Sequence, residues 1–259
     1  MVSVSIVNYA KDGEKLVAAA AKRTLSRKDF DIIASSMSDD EVDTWVRETF
    51  KRGHFSPWEH SVYTFEVKCS RVCSHQLVRH RIASYSQLSQ RFKVMKEYKV
   101  VTPPSISRNE ELLKLFNEFV SKAYELYMKF IKAGVPPEDA RYILPQGIHT
   151  KILVTMNARE ILHFLSLRMC SRAQWEIRGI AWSLWSELLK IHPKLFRYAG
   201  PRCVLYENQV RAEPATLIDF IEGKAEFTIS KCPEGVPKDK IRDCLLRTIK
   251  ELGIDLRIG

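Results

Sequence analysis

Apolar positions recur along this chain at two spacings. SVSIV (3–7), HSVYTFEVKCS (60–70) and TKILVTM (150–156) set apolar residues such as Val62, Phe65 and Val67 among polar neighbours, which predicts half-buried strands. Elsewhere the period lengthens to that of helices. One helix begins near Asp12 in DGEKLVAAAAKRTLS; another spans 38–53, acidic at its start, basic at its end and stopped by Gly53, as the helix dipole favours. Further helices are predicted from Ser70 to His80, from Arg108 to Ala133, over 136–144 with proline in the first turn, over 157–169 and over 174–192. In NAREILHFLSLRM the pair Asn157 and Glu160 fits a capping box.

Strands interspersed with helices predict an α+β fold: a single mixed domain with a central sheet and several long helices over 1–199. After Ala199 glycine, proline and cysteine recur, in GPRC and KCPEGVPK, and 200–259 reads as a peripheral C-terminal extension. No apolar run approaches the roughly 18–20 residues of a membrane helix. The N-terminus lacks a basic stretch followed by an apolar one, so the expected location is the cytoplasm. There most of Cys69, Cys73, Cys170, Cys203, Cys232 and Cys244 would be free thiols, with a metal site or a disulfide among Cys203, Cys232 and Cys244 as the alternative.

A net charge of +10 implies anionic partners without choosing between small-molecule phosphates and nucleic acid. Glycine spacing narrows the choice of device. No two of the ten glycines lie within five residues of each other, so neither a dinucleotide-binding fingerprint nor a P-loop is present. A bound nucleotide must be held by side chains, for which arginine's planar, permanently charged fork is suited.

The segment RHRIASYSQLSQRF (79–92) concentrates such side chains. Ser84 and Ser89, five apart, fall on one face of neither a helix nor a strand, so an irregular loop following His80 is expected to gather them. A solvated basic surface remains an alternative reading. Cys69, Cys73, His75 and His80 form C-x3-C-x-H-x4-H, which is not a common zinc spacing, and flanking Arg79 and Arg81 would repel a cation; no metal is expected.

Read as R-H-R-x-x-S-x-x-x-x-S-x-R, residues 79–91 resemble the signature of the flavin-dependent thymidylate synthases. GHFSPWEH (53–60), ARYILP (140–145), NAREILHFLSLR (157–168) and RAQWEIR (172–178) are similar to other parts of that family, and the resemblance covers roughly residues 1–198. It implies synthesis of thymidylate from dUMP, with methylenetetrahydrofolate as carbon donor, FAD as hydride carrier and NADPH as reductant. It also implies a homotetramer with active sites shared between subunits, and neither nucleic acid nor membrane as partner.

By position, the resemblance assigns Gln76, Leu77, Val78, Arg79, Gln87, Leu88, Ser89, Gln90, Arg91 and Arg141 to dUMP, with Ser89 and Arg91 near its phosphate. Arg168 would face the uracil and act in catalysis. FAD would meet His54, Ser56, Arg79, His80, Arg81, Gln87, Asn157, Ala158, Arg159 and His163. Gln87 and His163 stand where some members have glutamate and asparagine. Taken alone, Asn157 fits a helix cap, His163 a core histidine and Arg168 a charge at a helix C-terminus. No cysteine lies in the motif and Ser89 has no adjacent histidine–carboxylate pair, so catalysis without a protein nucleophile is expected. A nucleic-acid-binding module, or a flavin-containing relative acting on another pyrimidine, is the competing expectation.

Overall fold

The computed structural model describes residues 2–95 and 98–254. Four strands, β1 (Ser3–Tyr9), β2 (Val62–Ser70), β3 (Ala83–Gln87) and β4 (His149–Asn157), form one antiparallel sheet in the order β1-β2-β4-β3. The pairing of β2 with β4 is continuous, from Val62 opposite Asn157 to Ser70 opposite His149. Alternation in β2 turns Tyr63, Phe65, Val67 and Cys69 into the core, and Ile152, Val154 and Met156 of β4 join them.

Among the described residues thirteen α-helices accompany the sheet. The N-terminal half carries α1 (Gly13–Arg23), α2 (Phe30–Ser36), α3 (Asp39–Lys51) and α4 (Arg71–Leu77). Between β3 and β4 lie α5 (Pro104–Ser107), α6 (Glu110–Lys132) and α7 (Pro137–Ala140). After β4 come α8 (Ala158–Arg168), α9 (Trp175–Ile191), α10 (Pro193–Phe196), α11 (Arg202–Val210), α12 (Leu217–Glu222) and α13 (Lys238–Leu252). Side-chain caps account for several starts: Ser38, Ser70, Asn109 and Asn157 each accept a backbone N–H from the first turn of the following helix.

The sequence-based elements differ from the structure in instructive places. Residues 83–87, expected in an irregular loop, are the edge strand β3. Ser84 and Ser86 point outward on one face while Ala83, Tyr85 and Gln87 are half-buried, a period of two. The strand ends before Ser89, so the odd spacing of Ser84 and Ser89 crosses an element boundary. The helix expected over 136–144 is only α7 and a 3-10 turn, Arg141–Ile143, because Leu144 precedes Pro145 and is extended at ψ 132°. The short helix α2 has no counterpart among the predicted elements.

Two buried clusters hold the molecule together. The larger spans the sheet, α1, α3, α8 and α9, and takes in Val204, Leu217, Phe220, Ile221, Phe227, Cys232, Ile241 and Leu245 from beyond residue 200. The C-terminal segment therefore shares the main core. There Cys203, Cys232 and Cys244 line one enclosed space of about 20 Å³ with Cys170, and all six cysteines are free. The smaller cluster, Met95, Tyr127, Ala140 and Ile148, lies under α6 and α7. No helix among the described residues is long and apolar enough to cross a membrane.

Because Phe220 is fully buried and stacked on Phe227 at 4.4 Å, Phe220→Ala is expected to cost about 3–5 kcal/mol. A chain ended at residue 199 is expected to show no cooperative thermal transition by circular dichroism; a sharp transition at the temperature of the full chain would refute the shared core.

Candidate active site

At the end of β2 the Ser70 hydroxyl accepts the Cys73 N–H at 3.0 Å and starts α4, which carries Arg71 and His75 one turn apart. Facing them are Gln90, beyond the end of β3, and Arg141, in the 3-10 turn after α7. These four, with Tyr142 and Gln146, line a cleft of about 270 Å³ that contains no carboxylate. Burial, and then the nearby positive charge of Arg141, lower the pKa of Arg71 from the usual arginine value. Two like charges turned into one cleft call for an anion. The buried amide nitrogen of Gln90 has no hydrogen-bond partner, a donor left for a ligand. Arg91 stands to one side: exposed, it pairs with the Glu138 carboxylate and lies over the Phe92 ring at 5.0 Å. Ser89 Oγ accepts from the Arg91 backbone N–H at 3.1 Å, and Arg141 Nε donates to the Glu138 carbonyl at 3.0 Å.

A second group of polar side chains gathers at the C-terminal end of α8. Arg168 Nε donates to His80 Nε2 at 3.1 Å, and Arg168 Nη2 donates to the Gln76 carbonyl at 3.2 Å. On the other side of the imidazole, His80 Nδ1 lies 3.3 Å from Glu160 Oε1. Burial lowers the pKa of Arg168 from its usual value, but a guanidinium remains charged. Tyr85 donates from its hydroxyl to the carbonyls of Leu77 and His80 at 2.9 and 2.6 Å, tying β3 to the turn that follows α4.

A third surface is formed by the exposed face of α8 and the 3-10 turn Ser56–His60. Arg159 and His163, four residues apart on α8, are exposed, and Arg159 pairs with Glu59 at 2.6 Å. His54 and Ser56 open instead into a cavity of about 490 Å³ bounded by Trp45, Leu25 and Arg52. Asn157 Oδ1 accepts the Glu160 N–H at 2.9 Å, so it is a helix cap, and Ala158 is buried, donating from its backbone to Ser61. The reciprocal half of the expected capping box is not formed, since the Glu160 carboxylate faces His80.

The remaining predicted positions are dispersed. Val78, Arg79, Arg81 and Leu88 are exposed, and Leu77 is fully buried. The Gln87 amide nitrogen donates to Ser74 Oγ at 2.9 Å and to Thr150 Oγ1 at 3.2 Å, which leaves its oxygen for a ligand. The four residues of C-x3-C-x-H-x4-H separate: Cys69 and Cys73 face Glu176 in the core, His75 lines the cleft and His80 faces Glu160. Arg71, His75 and Glu160 were not among the expected site residues. His75 stands four residues before Arg79 and Arg71 four before His75, so one-turn spacing upstream from Arg79 would have pointed to both, whereas Glu160 was accounted for by its cap position alone.

A mixed α+β domain that lines a cleft with arginines rather than glycine loops is built to hold small anionic molecules by their charges. Residues 5–194 match the family described as "Thymidylate synthase complementing protein". The flavin-dependent thymidylate synthase of Sulfurisphaera tokodaii is 49% identical over 247 residues, covering 94% of this chain and 95% of the relative. That of Saccharolobus solfataricus is 49% identical over 254 residues, covering 96% and 97%. The chain belongs to the flavin-dependent thymidylate synthase family. A UMP/dUMP methylase from Streptomyces cacaoi, PolB, solved with 5-Br dUMP, shares the fold at a TM-score of 0.64 and 22% identity, over 76% of this chain and 93% of that one.

If the cleft holds a phosphate ester, Arg71→Ala and Arg141→Ala will each weaken binding of a nucleoside monophosphate by about tenfold to a hundredfold in a calorimetric titration. Arg91→Ala, which removes an exposed and already paired charge, is expected to change it little. Equal losses from all three would argue for a diffuse basic surface.

Proposed function

We propose that the protein is a flavin-dependent thymidylate synthase that reductively methylates dUMP to dTMP. Methylenetetrahydrofolate is the carbon donor, NADPH the reductant and tetrahydrofolate a product. The observation that carries the reading is the cleft of Arg71, His75, Gln90 and Arg141, with its unpartnered Gln90 amide and its lack of acidic groups, in a chain of this family. The clustered arginines suit the phosphate of dUMP, and the buried amide suits a neutral polar edge of the nucleotide. Ser89, next to Gln90 in the chain, and Gln87, bonded to Ser74 of α4, are hydrogen-bonding groups for the same nucleotide.

The donor set fits FAD: His54, Ser56, Arg159 and His163 present exposed imidazole, hydroxyl and guanidinium groups, and Arg79 and Arg81 add charge for the pyrophosphate. When bound, the flavin supplies the hydride. The chain's own task is to position the pyrimidine and stabilise charge on it. Arg168, charged and held by His80 and the Gln76 carbonyl, stabilises the negative charge that develops on the uracil ring.

The surroundings of the thiols support catalysis without a protein nucleophile. A hydrogen bond to Cys69 and burial push the Cys73 thiol up, and burial pushes Cys170 up, so neither is held as a thiolate. Ser89 Oγ accepts from the Arg91 backbone and is not presented to a base. The six free cysteines suit the cytoplasm.

The assembly is a homotetramer with shared sites. Support comes from α6, where Leu112, Leu115, Phe119, Leu126 and Phe130 remain exposed on a long helix, a row suited to a second copy.

Purified protein is expected to be yellow, with flavin absorbance, and to release tritium from 5-tritiated dUMP when NADPH and methylenetetrahydrofolate are supplied. A colourless protein that binds RNA or DNA with steep salt dependence would overturn the reading. Arg168→Ala should keep its flavin while turnover falls by about 10²–10³. Cys73→Ala and Ser89→Ala should stay active, and trapping a covalent Ser89–dUMP adduct by mass spectrometry would contradict this. Phe119→Asp should shift sedimentation to a smaller species with loss of activity.

A further inference from the structure

The geometry points to Glu160 as a positioning residue for Arg168, acting through His80. Glu160 and His80 are 6% and 3% exposed, so each must answer to its neighbours rather than to water. Since Arg168 Nε–H donates to His80 Nε2, that nitrogen bears the lone pair, and the proton of a neutral ring sits on Nδ1. Nδ1 has no well-aligned acceptor, and the group 3.3 Å away is the Glu160 carboxylate. Phe164 and His163 lie edge-on to the same imidazole, with centroids at 5.0 and 5.7 Å, and restrict its rotation. Glu160 thereby selects the tautomer that can accept from Arg168; with the proton on Nε2 the two N–H groups would oppose each other. The guanidinium is then held at Nε by His80 and at Nη2 by the Gln76 carbonyl, leaving its Nη1 edge for the substrate.

The ionisable side chains at His80 are Glu160, Arg168 and His163 around its ring and Tyr85, whose hydroxyl donates to its backbone carbonyl. The ligand atoms of His80, Glu160 and His163 fall within 4.8 Å of one another, a separation that would also serve a cation. Here the positive charge beside them is already provided by Arg168.

The inference rests on the role given to Arg168 above, and a double-mutant cycle separates the two. Wild type, Glu160→Gln, Arg168→Ala and the double variant are compared, all with FAD bound, by calorimetric titration of dUMP and by turnover. Glu160→Gln preserves shape and removes charge. It is expected to keep flavin content and melting temperature while kcat/KM for dUMP and dUMP affinity each fall by about tenfold. In the Arg168→Ala background it should cause no further loss of dUMP affinity, because the group it positions is gone. Glu160→Asp, charged but shorter, should recover part of the loss and serves if the glutamine variant does not fold. The ¹⁵N shifts of His80 should report an Nδ1–H tautomer in the wild type and a mixture in Glu160→Gln.

Wild-type affinity and turnover in Glu160→Gln, the same tenfold penalty with and without Arg168, or an Nε2–H tautomer would each overturn the positioning role while leaving Arg168 in place. Full turnover by Arg168→Ala alone would instead remove the role of Arg168, and the inference with it.

Discussion

The continuous pairing of β2 with β4 is the constraint on which the site depends. Antiparallel register places the end of β2, where α4 begins, beside the start of β4, and the end of β4, where α8 begins, beside the start of β2. The two helices are launched from opposite ends of one ladder and converge until Arg168 reaches Gln76 and His80. A one-residue slip would turn every core residue of β4 toward the opposite face and shift α8 relative to α4. The contacts around His80 are therefore set by backbone hydrogen bonds well away from them.

Burial decides which polar groups in this site are structural and which are left for ligands. Ser70, Ser74, Thr150 and Tyr85 spend their hydrogen bonds inside the protein, on a helix start, on Gln87 and on two backbone carbonyls. Gln90, by contrast, is buried with an unmatched amide, and Arg71 shares its cleft with a second arginine. Such arrangements cost stability in the free protein and are relieved by an anionic, hydrogen-bonding ligand.

Much of this was legible in the sequence, for identifiable reasons. The long elements announced themselves by periodicity, and the cap Asn157 by residue type. The scarcity of clustered glycine excluded phosphate loops and directed attention to arginine. The weakly apolar strand β3 was not legible, because Ser84 and Ser86 on its outer face hide an alternation carried only by Ala83, Tyr85 and Gln87. Nor was the pairing of Arg71 with Arg141, seventy positions apart, or the turn of Glu160 away from its own helix toward His80. Local pattern carries the elements, whereas long-range register carries the site.

The two walls of the cleft stand on different foundations. Arg71 begins a helix rooted in the main core, whereas Arg141 follows α7, beneath which Tyr127, Ala140 and Ile148 form the smaller cluster. A ligand gripping both arginines spans that seam and fastens the satellite to the sheet. By linkage, occupancy then contributes to the folding of α6 and α7 as well as to affinity. Amide protons of α6 would exchange more slowly in the complex although no residue of that helix lines the cleft.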